Sequence, residues 1–100
     1  MKIYYYNNKT LCSIITVTGK DISVENYTEN IFHRAFGRNL SPTYEDFEEF
    51  LKDRCFPETR RNKKQILESL NLDVYDPLEI VKKTEGRMAE DNSWMKVVDD

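Results

Sequence analysis

The chain has 100 residues and a mass of 11.9 kDa, room for one domain with one modest core. It is 39% hydrophobic and 12% aromatic, which favours a folded globular protein over a disordered one. Lys and Arg number 15 against 18 Asp and Glu, and the net charge of -3 excludes a protein that wraps nucleic acid over its whole surface.

In chain order, Lys2 to Tyr6 is β-prone and Asn7-Asn8 is a turn signal. Residues 10–18 alternate weakly around Leu11, Ile15 and Val17, which predicts a hairpin. Gly19-Lys20-Asp21 is a second turn, and Ile22 to Glu25 can add a third strand. Asn26 and Thr28 are candidate caps for a short helix carrying Ile31, Phe32, Ala35 and Phe36, with Gly37 as its stop. Thr43 then caps a helix with Glu45 and Asp46 in its first turn. Tyr44, Phe47, Phe50 and Leu51 form its apolar face, and Pro57 ends it near Cys55.

A further helix is expected from near Thr59, with Ile66, Leu67 and Leu70 in its later turns and Asn71 as a left-handed stop. Asp76-Pro77-Leu78-Glu79 reads as an N-cap, a first-turn proline and a capping box. Gly86 stops that helix, and Trp94 to Val98 can form a short strand. The expected fold is α+β in a single domain, residues 1–100. A small N-terminal antiparallel sheet of two or three strands packs with three or four short helices. The chain is strand-rich over 1–25, helical over 28–86, and has a short strand over 93–98.

Chemistry-bearing motifs are sparse. Cys12, Cys55 and His33 are too few and too scattered for a zinc site, and no metal or cofactor is expected. Cys12 and Cys55 sit in apolar contexts typical of small buried thiols. No glycine-rich phosphate loop occurs, and no carboxylate pair is singled out by its spacing. A non-enzymatic protein is therefore expected. No apolar run approaches the ~20 residues of a membrane span. The opening Met-Lys-Ile-Tyr-Tyr-Tyr lacks an apolar h-region. A cytoplasmic protein without a membrane partner is expected.

The charge pattern is more informative. The helix from Tyr44 to Asp53 is acidic, and Arg60, Arg61, Lys63 and Lys64 follow in the next expected helix start. One reading pairs the two helices across their corner. The other starts from the cost of cations near a helix N-terminus, about 0.3–1 kcal/mol each, and assigns the cluster to an anion or an acidic partner. Helix, short corner and helix also fit a helix-turn-helix, although the basic residues do not continue along the second helix. Trp94 either closes the core or anchors a partner. Asp91 is placed to accept from the guanidinium of Arg54 or of Arg60.

The run from Phe50 to Arg60, the continuation Ile66 to Leu72, and Gly86 to Met95 together form a spacing pattern. It holds R-x-x-P-x-x-R at Arg54, Pro57 and Arg60, leucines at Leu67 and Leu70, and Gly86, Asp91, Trp94 and Met95. Over residues 43–97 it resembles the segment ahead of the kinase core in Firmicutes HipA-like proteins, persister-toxin-type serine/threonine kinases of toxin–antitoxin systems. The kinase nucleotide-binding and catalytic loops have no counterpart here, so the resemblance implies a free-standing relative of a regulatory segment and no kinase activity.

The expected function is a bacterial interaction module that binds and modulates a partner protein, with a HipA-like kinase or another toxin–antitoxin component as first candidate. Its candidate contact residues are Arg54, Arg60, Arg61, Lys63, Lys64 and Trp94. Two alternatives stand beside it: a small helix-turn-helix DNA-binding regulator, and a phage or mobile-element inhibitor of a nucleic-acid-processing enzyme.

Overall fold

The computed structural model describes residues 1–99. Strands β1 (Lys2–Asn7), β2 (Thr10–Thr18) and β3 (Asp21–Asn26) precede helices α1 (Tyr44–Asp53), α2 (Lys63–Ser69) and α3 (Pro77–Thr84), and strand β4 (Ser93–Val98) follows. The fold is α+β, as its patterning predicts.

The N-terminal strands form the expected meander. Asn8 and Gly19, each the first residue of a two-residue loop, have positive φ, the sign a tight hairpin turn needs. The short C-terminal strand joins the same sheet, so the sheet has four antiparallel strands in the order β3-β2-β1-β4, one more than expected. Residues Ile3 and Tyr5 face the same side as Val97 and Met95 opposite them on β4, so adding this strand extends the apolar face.

The helices cover that face. Ile3, Tyr5, Ile15 and Met95 meet Phe47, Phe50 and Leu51 of α1, Leu67 of α2 and Ile80 and Val81 of α3. Each fully buried aliphatic chain of this kind contributes about 1.5–3 kcal/mol. Tyr5 and Phe50 meet edge to face with ring centroids 5.3 Å apart. The β1–β2 register slips between Tyr5 and Tyr6, leaving Cys12 as the extra residue of a bulge.

Residues 27–42 are a correction. The helix expected around Ile31 to Phe36 is a series of turns. Thr28 Oγ1 accepts the Asn30 N–H, and Asn30 Oδ1 accepts the Phe32 N–H. These local side-chain acceptors compete with the helical carbonyls. The Ala35 N–H is drawn 3.1 Å from the buried Ser13 hydroxyl, which itself donates to Asn26 Oδ1 at 2.7 Å. Phe32, expected on an apolar helix face, is 87% exposed.

Two helix starts also differ in detail. Helix α2 begins at Lys63 rather than near Thr59, because the Arg60 N–H bonds Pro57 O and the Lys63 N–H bonds Arg60 O in successive turns. Its N-cap, Asn62, makes no side-chain cap bond. In α3, Asp76 accepts from the N–H groups of Leu78 and Glu79, while the Glu79 carboxylate lies 3.6 Å from Lys82 rather than completing a capping box. The reciprocal box occurs in α1, between Thr43 and Asp46.

Candidate functional site

The segment between α1 and α2 is built around Arg54. As the C-cap of α1 it suits the negative end of the helix dipole, and it is 8% exposed. Its Nη1 donates to Asp91 Oδ2 at 2.7 Å, its Nη2 to Asp91 Oδ1 at 3.0 Å and to Ser93 O at 2.9 Å, and its Nε to Gly86 O at 2.8 Å. Hydrogen bonding from Arg54, joined by the Ser93 N–H, holds the Asp91 carboxyl below the usual carboxylate range. Gly86 belongs to this cluster for steric reasons. Its φ is +64°, and an added Cβ would lie 2.8 Å from Met95 Cε and 3.4 Å from Arg54 Cβ. Arg54 is thus a structural staple directed inward.

Beyond the staple the chain turns outward. Phe56 packs edge to face on Tyr75, with centroids 5.3 Å apart, and the Tyr75 hydroxyl donates to Phe56 O. Arg60 and Arg61 are exposed on the following turn. Neither they nor Lys63 and Lys64 form an ion pair with any described residue. Of the two readings of this cluster, pairing with the acidic face of α1 has no ion pair behind it among the described residues. Asp46, for its part, accepts from the Thr43 N–H and Asn39 Nδ2 at the helix start.

The basic cluster is also split. Lys63 and Lys64 border a depression of about 600 Å³ shared with Glu58, Glu68 and Asp73. Arg60 borders a different groove of about 350 Å³, together with Phe56, Ile66, Ile80, Met88 and Arg87. Arg87 was not among the residues that spacing singled out. Its place on the same groove as Arg60 arises from the chain's return after α3, which no local pattern announces.

Arg87 joins this groove to Trp94. Its guanidinium lies 4.7 Å from the Trp94 ring centroid, and its Nε is 3.1 Å from Glu85 Oε1. On the other side Trp94 stacks on Tyr6, with centroids 4.4 Å apart and planes 10° from parallel. The indole Nε1 donates to Asn8 O at 2.6 Å. Trp94 is half-buried on the sheet face opposite the helices and takes no part in the core. It clamps β4 to the β1–β2 turn, with Arg87 and Tyr6 on its two sides.

Burial pushes the Cys55 thiol up to about 11, with the charge of Asp76 adding to the shift. It donates to Leu51 O at 3.1 Å and stays protonated at neutral pH. Among the described residues, no three His, Cys, Asp or Glu side chains converge to hold a metal ion, and no helix is long and apolar enough to cross a membrane. The chain matches no protein-family model, no curated protein and no solved structure.

Proposed function

We propose that this protein is a non-enzymatic interaction module that binds and modulates a partner protein. The observation that carries the reading is the exposed pair Arg60 and Arg61, which has no ion-pair partner among the described residues and whose Arg60 lines a groove with Phe56, Ile66 and Met88. Arginine beside apolar surface is the composition of an interface anchor. A HipA-like kinase or another toxin–antitoxin component is the first candidate partner, on the resemblance over residues 43–97, and the cytoplasm is the proposed compartment.

A helix-turn-helix reading fits the geometry less well. It needs two helices packed together with the second long enough to enter a major groove. Helix α2 has 7 residues, and none of its Cα atoms lies within 8 Å of α1 or α3. Capture from native host lysate, with and without nuclease, tests the proposal. A stoichiometric protein retained after nuclease is expected. Recovery that depends on nucleic acid would overturn the proposal and promote DNA binding.

A further inference from the structure

The groove beside Arg60 has an apolar floor and a cationic rim. Phe56, Ile66 and Met88 are half-buried and Ile80 is buried, whereas Arg60 and Arg87 are exposed. Its volume of about 350 Å³ lies at the small end of the roughly 300–1,000 Å³ typical of ligand sites, suited to one large side chain. The charges around it are unevenly answered. Arg54 is matched by Asp91 and Arg87 by Glu85, which leaves Arg60 as the lining cation without an ion-pair partner among the described residues, with Arg61 next to it in the chain. Glu90 is the one acid on the lining.

We infer that this groove binds a short acidic peptide segment of the partner. One Leu, Ile, Met or Phe side chain seats against Phe56, Ile66 and Met88, and flanking Asp or Glu carboxylates reach Arg60 and Arg61. The charge complementarity selects an anionic occupant, and the apolar floor selects one that carries a hydrophobic side chain. A nucleic acid fits the same charge less well. Phe56 is the ring of the groove and is packed on Tyr75, while the neighbouring Trp94 lies between Tyr6 and Arg87. Both rings are already engaged by neighbouring side chains, which makes the groove a poorer stacking surface for a base. The inference rests on the protein-interaction reading and names the chemistry of its partner.

The test is a random-peptide display library panned on the purified full chain, with the strongest peptide resynthesised carrying fluorescein for titration. Enriched peptides are expected to place a large apolar residue beside Asp or Glu. Binding is expected to weaken about ten-fold in Arg60→Glu. It is expected to weaken likewise in Ala89→Trp, which fills the groove without altering charge. Both positions are exposed, and thermal unfolding verifies that each variant folds. No enrichment, enrichment without acidic residues, or titrations unmoved by both variants would overturn the inference. The lysate capture decides the wider reading separately: a nuclease-resistant partner can persist when the peptide claim has failed.

Discussion

The guanidinium of Arg54 holds the carboxylate of Asp91 in a bidentate grip, with Nη1 2.7 Å from Oδ2 and Nη2 3.0 Å from Oδ1. The same group reaches the carbonyls of Gly86 and Ser93, so one side chain ties the end of α1 to the end of α3 and to the first residue of β4. At this edge of the sheet the Ser93 N–H is bonded to Asp91 and the Met95 N–H to Glu85 O. Two outward N–H groups in the first half of β4 are thereby occupied, which blunts this part of the edge.

Removing the staple leaves buried carbonyls without donors. Arg54→Ala is expected to destabilise the fold by about 2–4 kcal/mol. Arg54→Lys keeps the charge but loses the fork, and is expected to recover less than half of that loss. Urea unfolding at neutral pH measures both. A midpoint unchanged in Arg54→Ala would show that the cluster contributes nothing.

Asp91 gives this cluster a pH dependence of known sign. Its carboxyl is held low in the folded chain by hydrogen bonding from Arg54, whereas in the unfolded chain it titrates near the ordinary value of about 3.9. The stabilisation is therefore fully present above that ordinary value and is lost as pH falls through the lower folded value. Asp91 is 42% exposed, so the neutral-pH cost of Asp91→Asn is expected to be about 1 kcal/mol. That gap from wild type should close as the medium becomes strongly acid. Unfolding midpoints of the two proteins, measured across the acid range, check this.

Two glycines make a controlled pair. Gly19 and Gly86 both have positive φ, but a Cβ at Gly19 meets nothing within 4 Å, while at Gly86 it meets Met95. Gly19→Ala is expected to cost about 1 kcal/mol, for the left-handed backbone alone. Gly86→Ala adds the clash with a buried side chain and is expected to cost about 1–3 kcal/mol more. Thermal unfolding of the two variants ranks them, and equal losses would contradict the close approach of Gly86 to Met95.

Exposed cations without ion-pair partners contribute little to folding. Arg60→Ala combined with Arg61→Ala is expected to leave stability within about 0.5 kcal/mol of wild type. A loss above about 1 kcal/mol in urea unfolding would place these residues in an intramolecular network.

The strands and two of the helices were legible because their signals are local. Thr43 with Asp46, Asp76 with Pro77, and the left-handed Asn71 and Gly86 act within a turn of their own backbone. The segment around Ile31 and Phe36 misled because its apolar spacing resembles a helix. Acceptors at Thr28 and Asn30, together with the distant Ser13 hydroxyl, take its N–H groups instead. The staple was half legible. Asp91 could be read as an acceptor for Arg54 or Arg60, and the choice depends on where α1 ends relative to β4. Arg87 on the groove that Arg60 lines, and Trp94 outside the core, depend wholly on tertiary placement.

Arg60 and Arg61 are proposed to serve a protein partner rather than the fold. The direct measurement compares wild type with the double alanine variant in affinity capture from nuclease-treated native host lysate, at matched folded concentration. One stoichiometric protein is expected on the wild type and is expected to be lost from the variant. Equal capture by both proteins, or no nuclease-resistant partner on either, would contradict that role.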